Sequence, residues 1–206
     1  MGLGVRGSGS GVRGPGSGVG RRHYDRGMRH IELITTGGTI EKTYDEATGS
    51  LSNRGTIVER MLKRLRLHGT TVHVRPLLSK DSLELTDADR GLIVKAVRAA
   101  SELSDGVVIL HGTDTLERTG ELLCDELGGR LGIAVVLTGA MRPFEMVRTD
   151  ALQNLTEAIL AAKLMEPGVY VAAHGNVQKF PGVVKDRKVG TFVRRGEGDS
   201  EGEGGA

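Results

Sequence analysis

The chain has 206 residues, of which 32 are Gly, three Tyr, three Phe and one Cys, with no Trp and a formal net charge of +2. That length suits one domain, or two small ones, and suffices to bury a sizeable core. A lone Cys124 excludes an internal disulfide or a Cys-rich zinc site and suits a cytoplasmic chain, no apolar run approaches the ~20 residues of a membrane span, and the start lacks an apolar signal region.

Residues 1–27 form a Gly/Ser/Arg head with almost nothing apolar to bury, so disorder is expected there. Residues 1–30 carry six Arg and one Asp, whereas 31–193 hold 20 basic and 21 acidic residues. The basic character therefore belongs to the head, and the body carries no electrostatic sign of nucleic acid. Arg-Gly segments bind RNA nonspecifically, but no aromatic precedes Tyr24 to stack on bases, and the head reads as an extension without function.

The body, residues 28–195, alternates strand and helix patterns. His30–Thr36 alternates and ends at Gly37-Gly38, a strand and a turn. Residues 40–54 read as a long loop able to close over a ligand. Ile57–Leu67 places Ile57, Met61, Leu62 and Leu65 on one helical face. Thr70–Pro76 is a strand, and Thr86 caps a helix reaching about Leu103, with Asp87 and Asp89 in its first turn. Gly106–Leu110 and Ile133–Leu137 are short continuous apolar runs of the buried parallel kind. Leu116–Leu127 is a helix stopping at Gly128-Gly129, with Asp114 or Thr115 as its cap. Asp150–Met165 is a helix and Gly168–Ala173 a strand. Residues 196–206 form an acidic, Gly-rich tail, again expected to be disordered. The alternation predicts a single α/β domain with a doubly wound, mostly parallel sheet and right-handed crossovers.

Such sheets bind ligands beyond the carboxyl ends of their strands. There the sequence places Thr35–Thr39, Ser79–Ser82, His111–Thr115, Thr138–Pro143 and His174–Asn176, each small, polar and hydroxyl- or glycine-rich. Taken singly, each reads as a turn or a helix cap. Together they suit a small, charged, polar ligand such as an amino acid. The phosphate fingerprints GxGxxG and GKS/GKT, the GxSxG elbow and the zinc patterns HExxH and CxxC are all missing, so no cofactor and no metal is expected.

Thr36-Gly37-Gly38-Thr39-Ile40, His111-Gly112-Thr113-Asp114-Thr115 and Gly139-Ala140-Met141-Arg142-Pro143 occur in that order. In these three motifs the chain resembles the L-asparaginase/glutaminase family of threonine-nucleophile amidohydrolases, over about residues 30–193. The resemblance implies the flavodoxin-like N-terminal domain of that family, in a short single-domain form. It implies Thr39 as primary nucleophile, assisted by Tyr44 from a mobile loop, and a second triad of Thr113, Asp114 and Lys185. It implies that Ser79 contacts the substrate α-carboxylate and that Asp114 holds the α-ammonium. It adds Asp81, Gly112, Thr113 and Ala140 to the substrate-binding set, and Lys80 stands where a neutral polar residue often meets the ammonium.

What the resemblance implies is hydrolysis of L-asparagine to L-aspartate and ammonia through an acyl-threonine. The alternatives are a noncatalytic amino-acid-binding or regulatory domain and a component of an RNA-linked amidotransferase. The expected partners are asparagine, no membrane, no nucleic acid, and a second copy of the chain in a homodimer or homotetramer. The chemistry is coherent with these residues. A Thr hydroxyl attacks an amide only when a base activates it, a Lys is a base when desolvated, and backbone N–H groups of Gly-rich turns stabilise an oxyanion.

Overall fold

The computed structural model describes residues 27–53 and 57–196. The head up to residue 26 and the tail from residue 197 lie outside the described residues, and with them the expectation of disorder there.

Strand β1 (Arg29–Gly37) leads through a 3-10 turn (Thr39–Glu41) into β2 (Lys42–Asp45) and β3 (Ser50–Asn53). Helix α1 (Ile57–Leu62), β4 (Thr70–Lys80) and α2 (Asp87–Ser101) follow. Next come β5 (Gly106–Leu110), α3 (Leu116–Leu127), β6 (Ala134–Thr138) and α4 (Ala151–Leu164). The described chain closes with β7 (Gly168–Ala173), β8 (Asn176–Lys179), β9 (Val183–Asp186) and β10 (Thr191–Arg194).

The main sheet runs β4-β1-β5-β6-β7-β8. Its first five strands are parallel and β8 pairs antiparallel with β7. Counted among the parallel strands in chain order, this is 2-1-3-4-5, the flavodoxin-like order. Alternation along each strand divides the core into two layers. Ile31 and Leu33, Val108 and Leu110, and Val136 face one layer, which α1 and α4 cover. Ile34, Val107, Ile109, Val135 and Leu137 face the other, covered by α2 and α3. Each such aliphatic side chain contributes about 1.5–3 kcal/mol on burial, so central strands with apolar residues on both faces can only sit between two helical layers. The sheet is thus doubly wound and mostly parallel.

Four local expectations differ from the fold. Residues 42–53 are a hairpin rather than an irregular loop. Asp45 and Gly49 close its turn through Gly49 N–H to Asp45 O at 2.7 Å, with Gly49 at φ +68°. Helix α1 ends five residues early, because Arg64 and Leu65 donate to the carbonyls three residues back, on Met61 and Leu62, and the last turn tightens. Leu65 nevertheless packs against the core. Strand β4 continues past Pro76 to Lys80, which is possible because it is an edge strand where a missing N–H costs no ladder bond. Ser79 and Lys80 therefore end a strand instead of following one. Finally, His174-Gly175 is a two-residue hairpin turn between Ala173 and Asn176, with φ of +53° and +83°.

Candidate active site

The loops after β1, β4, β5 and β6 interlock at the carboxyl ends of the strands, and glycines allow it. A Cβ on Gly38, whose φ is +84°, would stand 2.5 Å from Gly112 Cα and N. A Cβ on Gly112 would stand 2.6 Å from Ser82 Cβ, and one on Gly139 would overlap the His111 carbonyl and reach 3.0 Å from Thr113 Cγ2. Contacts below 3 Å are sterically forbidden for real side chains, so the backbone at Gly38 and Gly139 packs directly on backbone and that at Gly112 on the Ser82 side chain. The residues immediately after the first two glycines are Thr39 and Thr113.

Two N–H groups of the Gly-rich turn after β1 are already engaged. Gly37 N–H donates to Glu41 Oε2 at 2.7 Å, and Gly38 N–H to the Lys80 carbonyl at 3.0 Å.

Thr113, Asp114 and Lys185 meet. Lys185 Nζ donates to Thr113 Oγ1 at 2.8 Å and to Asp114 Oδ1 at 2.9 Å. Lys185 is largely covered (12% side-chain exposure), while Asp114 is open to solvent at 36%. Thr113 Oγ1 also reaches Met141 Sδ at 3.6 Å. Asp114 is therefore occupied by an ammonium and does not cap α3. Thr115 stands at that cap position without a side-chain capping bond. Its hydroxyl donates instead to the Ser82 carbonyl (2.7 Å) and accepts from Arg90 Nη2 (3.0 Å).

Lys185 reaches Thr113 because β9 is bolted to α3. Glu117 Oε2 accepts Lys185 N–H and Glu121 Oε1 accepts Gly182 N–H, both at 2.7 Å. Between them on the same helix, Gly120 leaves the space that the Phe180 ring fills. Strand β10 pairs Phe192 with Lys185 from the other side.

The remaining expected residues are placed as follows. Tyr44 lies in β2, 57% exposed, and its hydroxyl rests near Gly49 of its own hairpin. The hairpin is held down at Tyr44 N–H, which donates to Glu145 Oε2 (3.2 Å), while Glu145 Oε1 pairs with Arg60 at 2.9 Å. Ser79 is exposed at the end of β4. Lys80 clasps both Asp89 oxygens at 2.9 Å. That contact first, then the capping bonds from Thr86, pull the Asp89 pKa down to about 2. Asp81 accepts from Lys42 Nζ at 2.8 Å and caps the next turn through Leu83 N–H at 3.2 Å. The Lys42 bond is the main cause of its lowered pKa. Ala140 is buried, 1% exposed.

A second network fixes the Gly139–Arg142 turn. Asp150 accepts from Met141 N–H (2.9 Å), Arg142 N–H (3.1 Å), Asn154 Nδ2 (2.9 Å) and His174 Nε2 (2.8 Å). Burial raises the Asp150 pKa, but these bonds together outweigh it and the net shift is downward. Asn154 also donates to the Gly139 carbonyl at 2.9 Å and accepts His174 N–H at 3.0 Å. His111 is fully buried. Its Nδ1 lies 2.8 Å from the Gly112 carbonyl, which can only accept, so Nε2 accepts the Thr119 hydroxyl at 2.8 Å. Burial first, and Arg90 also, push its pKa down to about 4, so it is neutral. Among the described residues no group of three or more His, Cys, Asp or Glu has the geometry to hold a metal.

Sequence reasoning missed Asp150, Asn154, Arg90, Glu117 and Glu121. For the last two a signal existed: two Glu at i and i+4 flanking a mid-helix Gly mark a face pressed against another segment.

Comparison with known proteins agrees with this fold. A family model described as asparaginase, N-terminal, matches residues 30–191. The chain is 34% identical over 140 residues to the L-asparaginase of Thermococcus kodakarensis, covering 68% of this chain and 42% of that protein. It is 35% identical over 134 residues to a glutamyl-tRNA(Gln) amidotransferase subunit of Thermoplasma acidophilum, covering 65% and 32%. Among solved structures, the thermostable L-asparaginase from Thermococcus kodakarensis superposes with a TM-score of 0.74 at 32% identity, covering 80% of this chain and 51% of that one. L-asparaginase I from Vibrio cholerae superposes with a TM-score of 0.70 at 26% identity, covering 81% and 51%. The chain thus spans about half or less of the length of these relatives.

Proposed function

Because the chain belongs to the asparaginase family, we propose that it is an amidohydrolase converting L-asparagine to L-aspartate and ammonia. The observation that carries the reading is the Lys185–Thr113–Asp114 contact, set beside Thr39 by the packing of Gly38 on Gly112. The Thr39 hydroxyl attacks the side-chain amide carbon and its proton passes to a base. The C–N bond then breaks, ammonia leaves with a proton, and water hydrolyses the acyl-Thr39 ester. Thr113, hydrogen-bonded to Lys185, relays protons in this scheme. Asp114 offers its exposed carboxylate to the α-ammonium, and Ser79 and Asp81 stand on the β4 side of the rim. Thr39 N–H, at the start of the 3-10 turn, serves as the oxyanion donor in this scheme, since Gly37 and Gly38 N–H are engaged elsewhere.

The test is ammonia release from Asn and Gln by the wild type, Thr39→Ala and Thr113→Ala. Loss of at least a hundredfold in both variants is expected, and full activity in Thr39→Ala overturns the mechanism. The similarity to the amidotransferase of Thermoplasma acidophilum favours one second reading, a component of an RNA-linked amidotransferase. Ammonia release that requires an added partner protein and tRNA would select it. Asn binding in a calorimeter without ammonia release would instead select a noncatalytic domain. The reading also includes a homodimer or homotetramer in which a neighbour walls the open rim, and a fully active monomer in sedimentation overturns that part.

A further inference from the structure

Glu41 takes no part in the scheme above, yet it follows Thr39 by two residues in the same 3-10 turn and is only 2% exposed. Its carboxyl accepts Gly37 N–H at 2.7 Å and is also hydrogen-bonded by the Thr35 side chain. The two donors bracket the point where β1 becomes the turn. Gly37 and Gly38 there adopt φ of +100° and +84°, a region glycine enters freely and side-chain-bearing residues rarely do.

Among the described residues no cation answers the carboxyl. Lys42, next in the chain, bonds Asp81, and Lys80, paired with Gly37 across the sheet edge, bonds Asp89. Helix α1 turns Ile57, Val58 and Met61 inward while Glu59 and Arg60 stay outside, Arg60 on Glu145. From α4 and the loop before it, the Asp150 carboxylate is held by His174, and His111 after β5 is neutral. Burial accordingly lifts the Glu41 pKa to about 7, with the Gly37 and Thr35 bonds opposing. An ionised carboxylate accepts both bonds with the strength of charge assistance, whereas the acid accepts weakly and must place a proton of its own.

We propose that Glu41 is a positioning residue of the Thr39 turn: its buried carboxylate grips Gly37 N–H and the Thr35 hydroxyl, and losing the charge slackens the turn that presents Thr39. Its effect on turnover rests on the amidohydrolase reading, while its effect on the turn does not.

Two measurements test it. The first is kcat and KM for Asn from pH 5 to 9 in wild type and Glu41→Gln. The wild type should lose kcat on the acid side with a midpoint near 7. Glu41→Gln should lack that limb, with kcat down about tenfold at pH 8 and KM within about twofold, a tenfold loss being what one charge-assisted hydrogen bond is worth. An acid limb that persists unchanged in Glu41→Gln overturns the proposal. The second is the Gly37 and Thr39 amide resonances of the wild-type chain over the same range, which need no activity. Both should titrate together near pH 7, and a Gly37 resonance that stays flat overturns the proposal even if Glu41→Gln fails to fold. Joint titration without any Asn hydrolysis would uphold the positioning role and remove the amidohydrolase reading instead.

Discussion

Lys185 Nζ lies 2.8 Å from Thr113 Oγ1 although 72 residues separate them. The contact exists because α3, which begins just after Thr113, also receives β9 through Glu117 and Glu121. One helix therefore indexes both partners.

On the amidohydrolase reading, replacing Lys185 by Met should lower kcat for Asn by about 10²–10⁴-fold, the usual worth of a positioned proton-transfer group. Far-ultraviolet circular dichroism should be unchanged, since β9 remains held by its backbone. Activity within threefold of wild type would remove Lys185 from the mechanism.

Gly120→Ala places a methyl in the Phe180 ring and should destabilise the fold by about 1–3 kcal/mol. Gly91→Ala in α2 meets nothing within 4 Å and should stabilise it by about 0.5–1 kcal/mol. Urea unfolding of the two variants checks both signs at once.

Gly38→Ala confronts both a positive φ and Gly112 backbone at 2.5 Å. It should cost several-fold more stability than a single strained turn, which is of order 1–3 kcal/mol, and on the amidohydrolase reading should abolish ammonia release. A soluble, active Gly38→Ala protein would mean that the two loops do not pack as described.

Two buried groups give opposite pH dependences of stability. Glu41 has its pKa raised from 4.5 to about 7, so the folded chain binds the extra proton and stability falls as pH rises through that window. His111 is lowered from 6.5 to about 4, so the unfolded chain binds the extra proton and stability falls as pH drops below 6.5. Each is worth about 3 kcal/mol across its window, and between pH 4.5 and 6.5 they nearly cancel. Glu41→Gln should uncover the His111 slope, with stability climbing by about 3 kcal/mol from pH 4 to 6.5. Chemical denaturation at half-unit pH steps measures it, and a variant as flat as the wild type would contradict the burial of one of the two groups.

By itself the sequence determined the central parallel strands, the four helices and the places where strands end in Gly- and hydroxyl-rich turns. Those follow from local alternation, apolar runs and capping residues such as Thr86, whose energetics reach only a few residues along the chain. The three motifs also sufficed to indicate the family. The tertiary structure alone decided that the glycines of separate loops touch each other, that Tyr44 stays with its own hairpin, and that Lys80 and Lys42 belong to Asp89 and Asp81. It also decided that Glu41 is buried away from both lysines, where a reading of Thr-Ile-Glu-Lys-Thr-Tyr suggests a solvated loop. An ionisable side chain takes its chemistry from solvent access and from partners brought near by distant segments, and neither quantity is written in the residues beside it.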